Sequence, residues 1–119
     1  MVGLFKHPKR QIRKLLQSGD YDEAIALGKS LENQYQNDPD FHFIMGSVYF
    51  ILDDFKKALP YFEKSISLNP DDVETLTLKT NTHLALQEKA AAIKCCKKIT
   101  QLDPKNSEAQ DLLEKLENL

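Results

Sequence analysis

The 119-residue sequence has no tryptophan, four glycines, five prolines and only two cysteines. Cys95 and Cys96 are adjacent, and because the side chains of neighbouring helical residues diverge, the pair cannot form the usual disulfide. This cysteine usage indicates a reducing compartment. The sequence contains no Asn-x-Ser/Thr acceptor for glycosylation, and its N-terminus lacks the apolar run of a signal peptide. We therefore expect a cytoplasmic protein.

Long hydrophobic runs are also missing. The longest, residues 41–52, covers about half of the roughly 20 residues that a membrane-spanning helix needs, and it contains His42 and Ser47. The composition, 41% hydrophobic and 29% charged, is that of an ordinary globular protein, and a chain of this length can bury a core without disulfides or metals. We expect a single globular domain.

The residue patterns that carry chemistry are absent as well. Four scattered glycines form neither a phosphate-cradling loop nor a nucleophile elbow, and the adjacent cysteines lack the spacing and the second pair that a metal site needs. His42, His83 and Cys96 fall on core positions of predicted helices, so packing explains them better than ligation or base catalysis. We expect no enzyme, no cofactor and no metal.

Charge is unevenly distributed along the chain, although the formal net charge is only −2. Residues 1–19 hold no acidic side chain, and all 18 carboxylates follow them. Because this segment is short and its apolar stripe must pack on the next helix, we interpret it as a solvated face or a docking site for an acidic protein. An anionic membrane or a nucleic acid remains the alternative partner for its basic side chains, which are Lys6, Lys9, Arg10, Arg13 and Lys14.

What the sequence does contain is a repeat of fixed length. Ala24, Ala58 and Ala92 are equally spaced, and the same interval separates Pro70 from Pro104. Apolar residues recur at helical spacing within each unit, in two runs separated by a break. A period of about 34 residues is typical of helical hairpins stacked in an array.

Start and stop signals place the first hairpin at about residues 8–38. Pro8 suits a first helical turn, Gly19 follows the end of that helix, and Asp20 is expected to cap the next one. The apolar pattern of the second helix continues to Tyr35.

The remaining chain divides into two further hairpins and one unpaired helix. Asn106-Ser107 with Gln110 is typical of a capping box for this last helix, which we expect to close the apolar end of the array. The predicted organisation is a flexible segment 1–7 and a repeat domain 8–119, with repeats at about 8–38, 39–72 and 73–106 and a capping helix at 107–119.

The middle unit resembles the tetratricopeptide repeat (TPR). Gly46 and Tyr49 match the small residue and the aromatic of the family's first helix, and Ala58, Phe62 and Pro70 match the small residue, the aromatic and the closing proline that follow. The third unit keeps the alanine and the proline, but neither the glycine nor the aromatics. The resemblance implies an all-α, right-handed superhelix of antiparallel helical hairpins, namely three repeats and a capping helix.

In this family the first helices of successive repeats line a concave groove that receives extended peptides or partner helices. The helical wheel independently places Phe43, Ser47 and Phe50 on a face distinct from both packing faces. Alternatively, the two phenylalanines fill gaps between neighbouring first helices. By matching position, the resemblance implies a groove lined by Lys9 and Arg13, by Phe43, Ser47 and Phe50, and by Glu74, Thr77, Asn81 and Leu84.

Some members of the family bind the acidic C-terminal tails of heat-shock chaperones through a clamp of Lys, Asn and Arg side chains. The matching positions here are Lys9, Arg13, Ile44, Glu74 and Leu78. Only the first two are cationic, and Glu74 would repel a terminal carboxylate. We therefore predict that the chain does not bind such tails in this way.

The predicted function is that of an adaptor for a protein or peptide. Phe43 and Phe50 would anchor an apolar segment, Lys9 and Arg13 would favour an acidic residue beside it, and Ser47 and Asn81 would hydrogen-bond its backbone. The alternative is a self-associating assembly unit, joined through the groove or through the exposed end at Leu119. Nucleic acid and membrane are not expected as the main partners.

Overall fold

The computed structural model describes residues 7–119, so most of the predicted flexible segment lies outside the described residues. This part of the chain contains helices and no strand, which confirms the all-α prediction. None of these helices is long and apolar enough to cross a membrane. The helices are α1 (Pro8–Gln17), α2 (Tyr21–Leu31), α3 (Pro39–Ile51), α4 (Phe55–Leu68), α5 (Val73–Ala85), α6 (Lys89–Leu102) and α7 (Ser107–Glu117).

Successive helices pair as hairpins, α1 with α2, α3 with α4, and α5 with α6, while α7 packs on α6. The first helices are also neighbours, because α3 contacts both α1 and α5. The radius of gyration is 15.4 Å, whereas a compact domain of this length would have about 13.5 Å. The principal extents are 54 × 24 × 21 Å. The hairpins therefore form an elongated stack, which is a helical-hairpin superhelix.

The turn inside each hairpin has the same backbone conformation. Gly19, Asp53 and Gln87 occupy matching positions of the three repeats, and they adopt φ values of +78°, +59° and +61°. This left-handed region is easily reached by glycine but costs energy for a residue with a Cβ. The three repeats therefore share this left-handed turn conformation, although a different residue occupies it in each repeat.

Side-chain caps start α3, α4, α5 and α7. The Asp38 carboxylate accepts hydrogen bonds from the amides of Asp40 and Phe41, at 2.9 and 3.4 Å, and Pro39 occupies the first helical position. Asp54 and Asp72 cap the next two helices in the same way. These caps satisfy amides that have no partner within the helix, and those of Asp38 and Asp72 lie at the starts of the second and third repeats.

Two boundary predictions in the first repeat were wrong. Asp20 directly precedes α2, but its carboxylate accepts no hydrogen bond from the amides of the helix. The second helix ends at Leu31 and not at Tyr35. Tyr35 lies in a turn and stacks on Phe41 with ring centroids 5.7 Å apart, so its apolar contact does not require a helix.

The predicted capping box of α7 was also wrong in its details. The cap is Asn106, whose side chain accepts from the Ala109 amide at 3.0 Å. The Gln110 side chain donates to the Pro104 carbonyl and therefore does not reach back to the cap residue. The helix starts at the predicted place with a different set of bonds.

The larger apolar core joins the first two repeats. Phe41, Met45 and Phe62 are fully buried at its centre. A Cβ on Gly46 would lie 2.6 Å from Cε1 of Phe62, so α4 approaches α3 where a glycine permits it. A Cβ on Gly28 would lie 2.1 Å from Sδ of Met45, so α2 approaches α3 in the same way.

A smaller core joins α5, α6 and α7 around Leu76, Cys96, Ile99 and Ala109. Cys96 is fully buried and its thiol donates to the Ala109 carbonyl at 3.2 Å. Burial raises the pKa of the Cys96 thiol, so the neutral form is favoured. The prediction that Cys96 is a packing residue is therefore confirmed.

Candidate interaction surface

The nine residues predicted to line the groove lie on α1, α3 and α5, and none belongs to the buried core. Five of the nine are half-buried and four are exposed. The surface that they form is called the groove face below. Its exposed members are Arg13, Glu74, Thr77 and Asn81, and its half-buried members are Lys9, Phe43, Ser47, Phe50 and Leu84.

Several hollows border residues of the groove face, and two of them reach α5. The first, of about 220 Å³, lies at the start of α3 and α5 and is bordered by Arg13, Asp40, Phe43, Asp72 and Glu74. These residues come from the first, second and third repeats, so the structure does bring the predicted sets together at this end. The hollow is a place where a ligand side chain can contact all three repeats.

The second hollow, of about 120 Å³, lies between α5 and α7. Thr77 and Asn81 border it together with Glu108 and Leu112. The sequence analysis treated α7 only as a cap and missed these last two residues. A signal existed, because Glu108 follows Glu74 by the repeat interval and so occupies the matching position on α7.

The two cations of the groove face are paired within the chain. The Lys9 ammonium lies 2.7 Å from a carboxylate oxygen of Asp38 and 3.4 Å from one of Asp40, and the Arg13 guanidinium lies 2.6 Å from Asp40. The hydrogen bond to Asp38 raises the pKa of Lys9. Burial would raise the pKa of Asp38, but Lys9 outweighs it and holds that pKa below its usual value. The pairs tie α1 to the start of α3.

The acidic residues on the α5 side of the first hollow form no ion pair within residues 7–119. Asp72 accepts hydrogen bonds from the Glu74 amide and the Thr75 hydroxyl, which leaves its negative charge in place. Glu74 is exposed, and within residues 7–119 it takes part in no ion pair. The hollow therefore carries paired charges at its α1 side and uncompensated negative charge at its α5 side.

Phe43 and Phe50 each pack one side of the ring against α4. The Phe43 ring centroid lies 6.4 Å from that of Phe62, and the Phe50 centroid lies 5.4 Å from that of Phe55 in an edge-to-face arrangement. Both rings keep part of their surface in contact with solvent. The rings thus fill space beside α4 and also present apolar area on the groove face.

The polar groups of the groove face differ in what they still offer. The Ser47 hydroxyl donates to the Phe43 carbonyl at 2.8 Å, and the Thr77 hydroxyl donates to the Val73 carbonyl at 2.8 Å. The single O–H group of each hydroxyl is already engaged in a hydrogen bond, so each oxygen can only accept a hydrogen bond from a ligand. The exposed Asn81 amide can both donate and accept.

Among residues 7–119, no three His, Cys, Asp or Glu side chains come close enough together to hold a metal ion. His42 is buried, and its Nε2 lies 2.8 Å from the Gln36 carbonyl. His83 is also buried, with Nδ1 2.9 Å from a Glu88 carboxylate oxygen. Both histidines occupy core positions, as predicted from the helical pattern.

Helical hairpins that repeat at a fixed interval, with a continuous face of first helices, define a tandem helical-repeat protein. The family profile described as Tetratricopeptide repeat matches residues 49–116, which is more than half of the chain. The chain therefore belongs to the tetratricopeptide repeat family.

One curated relative is Protein CTR9 homolog of Arabidopsis thaliana, which is 28% identical over 95 residues. The match covers 76% of this chain but only 9% of the relative. The chain thus corresponds to a small part of that protein.

Several solved structures are similar. The first TPR of Spaghetti (RPAP3), bound to the HSP90 peptide SRMEEVD, is 26% identical with a TM-score of 0.84, over 93% of this chain and 88% of the other. The first TPR domain of human RPAP3 is also 26% identical, with a TM-score of 0.80 over 93% and 87% of the two chains. The translocator chaperone SycD of Yersinia enterocolitica, 14% identical with a TM-score of 0.78 over 99% and 81%, shares the fold.

Proposed function

We propose that this chain is an adaptor that holds a peptide or a partner helix along the groove face. Its family and its similarity to a TPR domain with a bound peptide support a protein-interaction module. The observation that carries the proposal is the pair of half-buried phenylalanines, Phe43 and Phe50, whose rings keep solvent-accessible apolar area on the groove face, with Phe43 at a hollow bordered by three repeats. Aromatic rings of this kind commonly supply much of the binding energy of an interface.

The apolar side chain of a ligand would rest against Phe43 and Phe50, which α4 holds in place from behind through Phe55 and Phe62. Rings that are already fixed lose little conformational freedom on binding. The ligand backbone would donate to the Ser47 hydroxyl and exchange hydrogen bonds with the Asn81 amide. This arrangement suits a segment that lies across α3 and α5.

The charges of the first hollow favour a cationic residue in the ligand over an acidic one. An acidic residue beside α1 would compete with Asp38 and Asp40 for Lys9 and Arg13, which the chain already pairs. A lysine or arginine of the ligand would instead meet Glu74, which has no ion-pair partner within residues 7–119. The same pairing removes Lys9 and Arg13, but not Arg10 and Lys14, from the cations that α1 could offer to an anionic membrane or nucleic acid.

Selection of random peptides displayed on phage tests the groove. Peptides that bind the wild-type chain should lose about tenfold or more in affinity in the variant Phe43→Ala/Phe50→Ala, because the anchoring rings are removed. The matched control is Ile51→Ala/Leu52→Ala, which removes two apolar side chains that are 50% and 41% exposed at the end of the same helix. Equal binding by wild type and the groove variant, with helical content unchanged, would refute the groove assignment.

A charge reversal tests the ligand chemistry. Glu74→Lys should weaken the binding of groove-dependent peptides that contain Lys or Arg, while Glu23→Lys on α2 leaves it unchanged. If Glu74→Lys instead strengthens the binding of these peptides, or if the selected peptides are acidic, the charge assignment is wrong.

Sedimentation across a concentration series separates the adaptor from a self-associating assembly unit, since only the assembly unit gains mass as its concentration rises.

The chaperone-tail clamp provides a further prediction. The chain has Ile44 and Glu74 where the clamp needs polar or cationic groups, and Ile44 is buried. We expect the peptide SRMEEVD to give no saturable heat in titration calorimetry with this chain. The first TPR of Spaghetti (RPAP3) serves as the positive control. Saturable binding that Lys9→Ala/Arg13→Ala abolishes would contradict the prediction.

A further inference from the structure

A second concave surface lies away from the groove face, where α4, α5 and α6 meet. It encloses about 390 Å³, which is within the size range of ligand pockets. We call it the lysine pocket. Its walls are formed mainly by Ile66 and Pro70, by Leu76 and Lys79, and by Lys94 and Lys98.

The lysine pocket and the groove face use different sides of α5. At 100° per residue, Leu76, Lys79 and His83 lie about 150° around the helix from Thr77 and Asn81. A ligand in the lysine pocket therefore does not contact the groove face of this helix. The two surfaces can be occupied independently.

The floor of the lysine pocket is apolar and closely packed. Leu76, His83 and Cys95 are each more than nine-tenths buried, and Ala91 also lines the pocket. The one polar ring of the floor, that of His83, is engaged by Glu88 through Nδ1. Such a floor accepts an apolar side chain and offers few hydrogen-bonding groups to a polar one.

The rim of the lysine pocket is cationic. Lys79 and Lys94 form no ion pair within residues 7–119, and Lys98 lies 3.7 Å from one exposed carboxylate, that of Asp71. Burial raises the pKa of the Cys95 thiol, and the charges of Lys79 and Lys94 oppose this effect. Lys79, Lys94 and Cys95 all line the same pocket. Glu63 is the only carboxylate among the described lining residues.

We propose that the lysine pocket is a second docking site, and that its occupant is an acidic peptide segment that inserts one apolar side chain between carboxylates. Lys79 on α5 and Lys94 on α6 both line the pocket and form no ion pair within residues 7–119, so each is available to a carboxylate that flanks the inserted side chain. A nucleic acid fits less well, because phosphate recognition needs a run of cations and the chain beyond residue 19 contains all 18 carboxylates.

The test uses the full chain with the groove weakened by Phe43→Ala/Phe50→Ala, so that groove binders are excluded. Random peptides displayed on phage are selected on this variant and then measured as synthetic peptides. We expect sequences with Asp or Glu on both sides of a Leu, Ile or Phe. Adding Lys79→Glu/Lys94→Glu should weaken their binding by roughly tenfold or more, because charge-assisted contacts become repulsive.

The matched control adds Lys29→Glu/Lys105→Glu to the same groove variant. These two substitutions change the net charge by the same amount as the pocket substitutions, but at exposed sites outside the pocket. The affinity for the selected peptides should then stay within a factor of about two at moderate ionic strength. Amide chemical shifts on peptide addition should change in α4, α5 and α6 around Cys95. Recovery of no peptide, of peptides without acidic residues, or of peptides equally weakened by both charge reversals would overturn the proposal. A gain in mass in sedimentation without peptide would identify a second copy as the occupant and would also overturn it.

Discussion

Asp38 performs two tasks at the start of α3. One carboxylate oxygen accepts from the first amides of the helix, and the other receives the Lys9 ammonium at 2.7 Å. Because asparagine caps helices about as well as aspartate, the substitution Asp38→Asn removes the ion pair and keeps the cap. The two tasks can therefore be separated by experiment.

We expect Asp38→Asn to lower the free energy of unfolding by about 0.2–1 kcal/mol at neutral pH, the usual worth of a partly exposed pair. Because the folded-state pKa of Asp38 lies below its unfolded value, this contribution is present above about pH 4 and is lost as the pH falls through the folded-state pKa. Because the pKa of Lys9 is raised, the contribution is also lost at strongly alkaline pH.

Urea unfolding of wild type and Asp38→Asn across the acid range measures this difference. Asp111→Asn, an exposed carboxylate on α7, serves as the control. A difference between wild type and Asp38→Asn that stays constant well below pH 4 would show that the carboxylate acts through something other than its charge.

Gln87 occupies the left-handed turn position that Gly19 fills in the first repeat. A side chain with a Cβ is strained at φ +61°, and glycine is not. We expect Gln87→Gly to raise the free energy of unfolding by up to about 1 kcal/mol. The same exchange inside a helix, Gln11→Gly in α1, should lower it by about 1 kcal/mol. Thermal unfolding of both variants checks the opposite signs.

At the scale of elements, α7 covers the open end of the stack. It packs on α6 with Ala109 and Leu116 buried, and Cys96 of α6 donates to the Ala109 carbonyl. Without this helix, the apolar side of α6 would face solvent, as expected for the uncapped end of a repeat array. The contacts between α7 and α6 therefore explain how the unpaired last helix caps the stack.

We expect Leu116→Ala to lower the free energy of unfolding by about 2 kcal/mol, the lower end of the range for a buried leucine, because a terminal helix can shift to close the cavity. Leu119→Ala removes a side chain that is 88% exposed and should have no measurable effect. Chemical denaturation of the two variants provides the comparison. If both substitutions change the free energy of unfolding equally, the packing of Leu116 does not stabilise the protein.

At the scale of the whole molecule, the stack contains two cores of unequal size. The core around Phe41 and Phe62 joins the first two repeats, and the smaller core around Leu76 and Ile99 joins α5, α6 and α7. Buried threonines of α5, Thr75, Thr80 and Thr82, occupy interior positions without adding comparable apolar area. Stability is therefore not uniform along the stack.

We expect amide hydrogen exchange to be slowest in α3 and α4 and faster in α5, α6 and α7. The reason is that a repeat array is held together by contacts between neighbours, so the end with the smaller core opens at lower free energy. Native-state exchange followed by mass spectrometry measures this order. Uniform protection of all helices would indicate a single cooperative unit and would contradict the expectation.

The helices, the repeat length and the cores could be predicted from the sequence because their signals are local. Helical periodicity, and Pro8 and Gly19 at the two ends of the first helix, each depend on neighbours within a few turns. The errors fell at helix ends, at Asp20, Tyr35 and Gln110, where several bonding patterns fit the same residues. Boundary contacts of this kind depend on the neighbouring helix.

The sequence by itself therefore determined a stack of helical hairpins, because amphipathic helices that recur at one fixed interval have few other ways to bury their apolar faces. Only the tertiary structure decided the charge of the groove face. Lys9 and Arg13 pair with acids at the start of α3, and the lysine pocket combines side chains of three helices. Such contacts depend on how helices cross in space, which no local pattern of residues specifies.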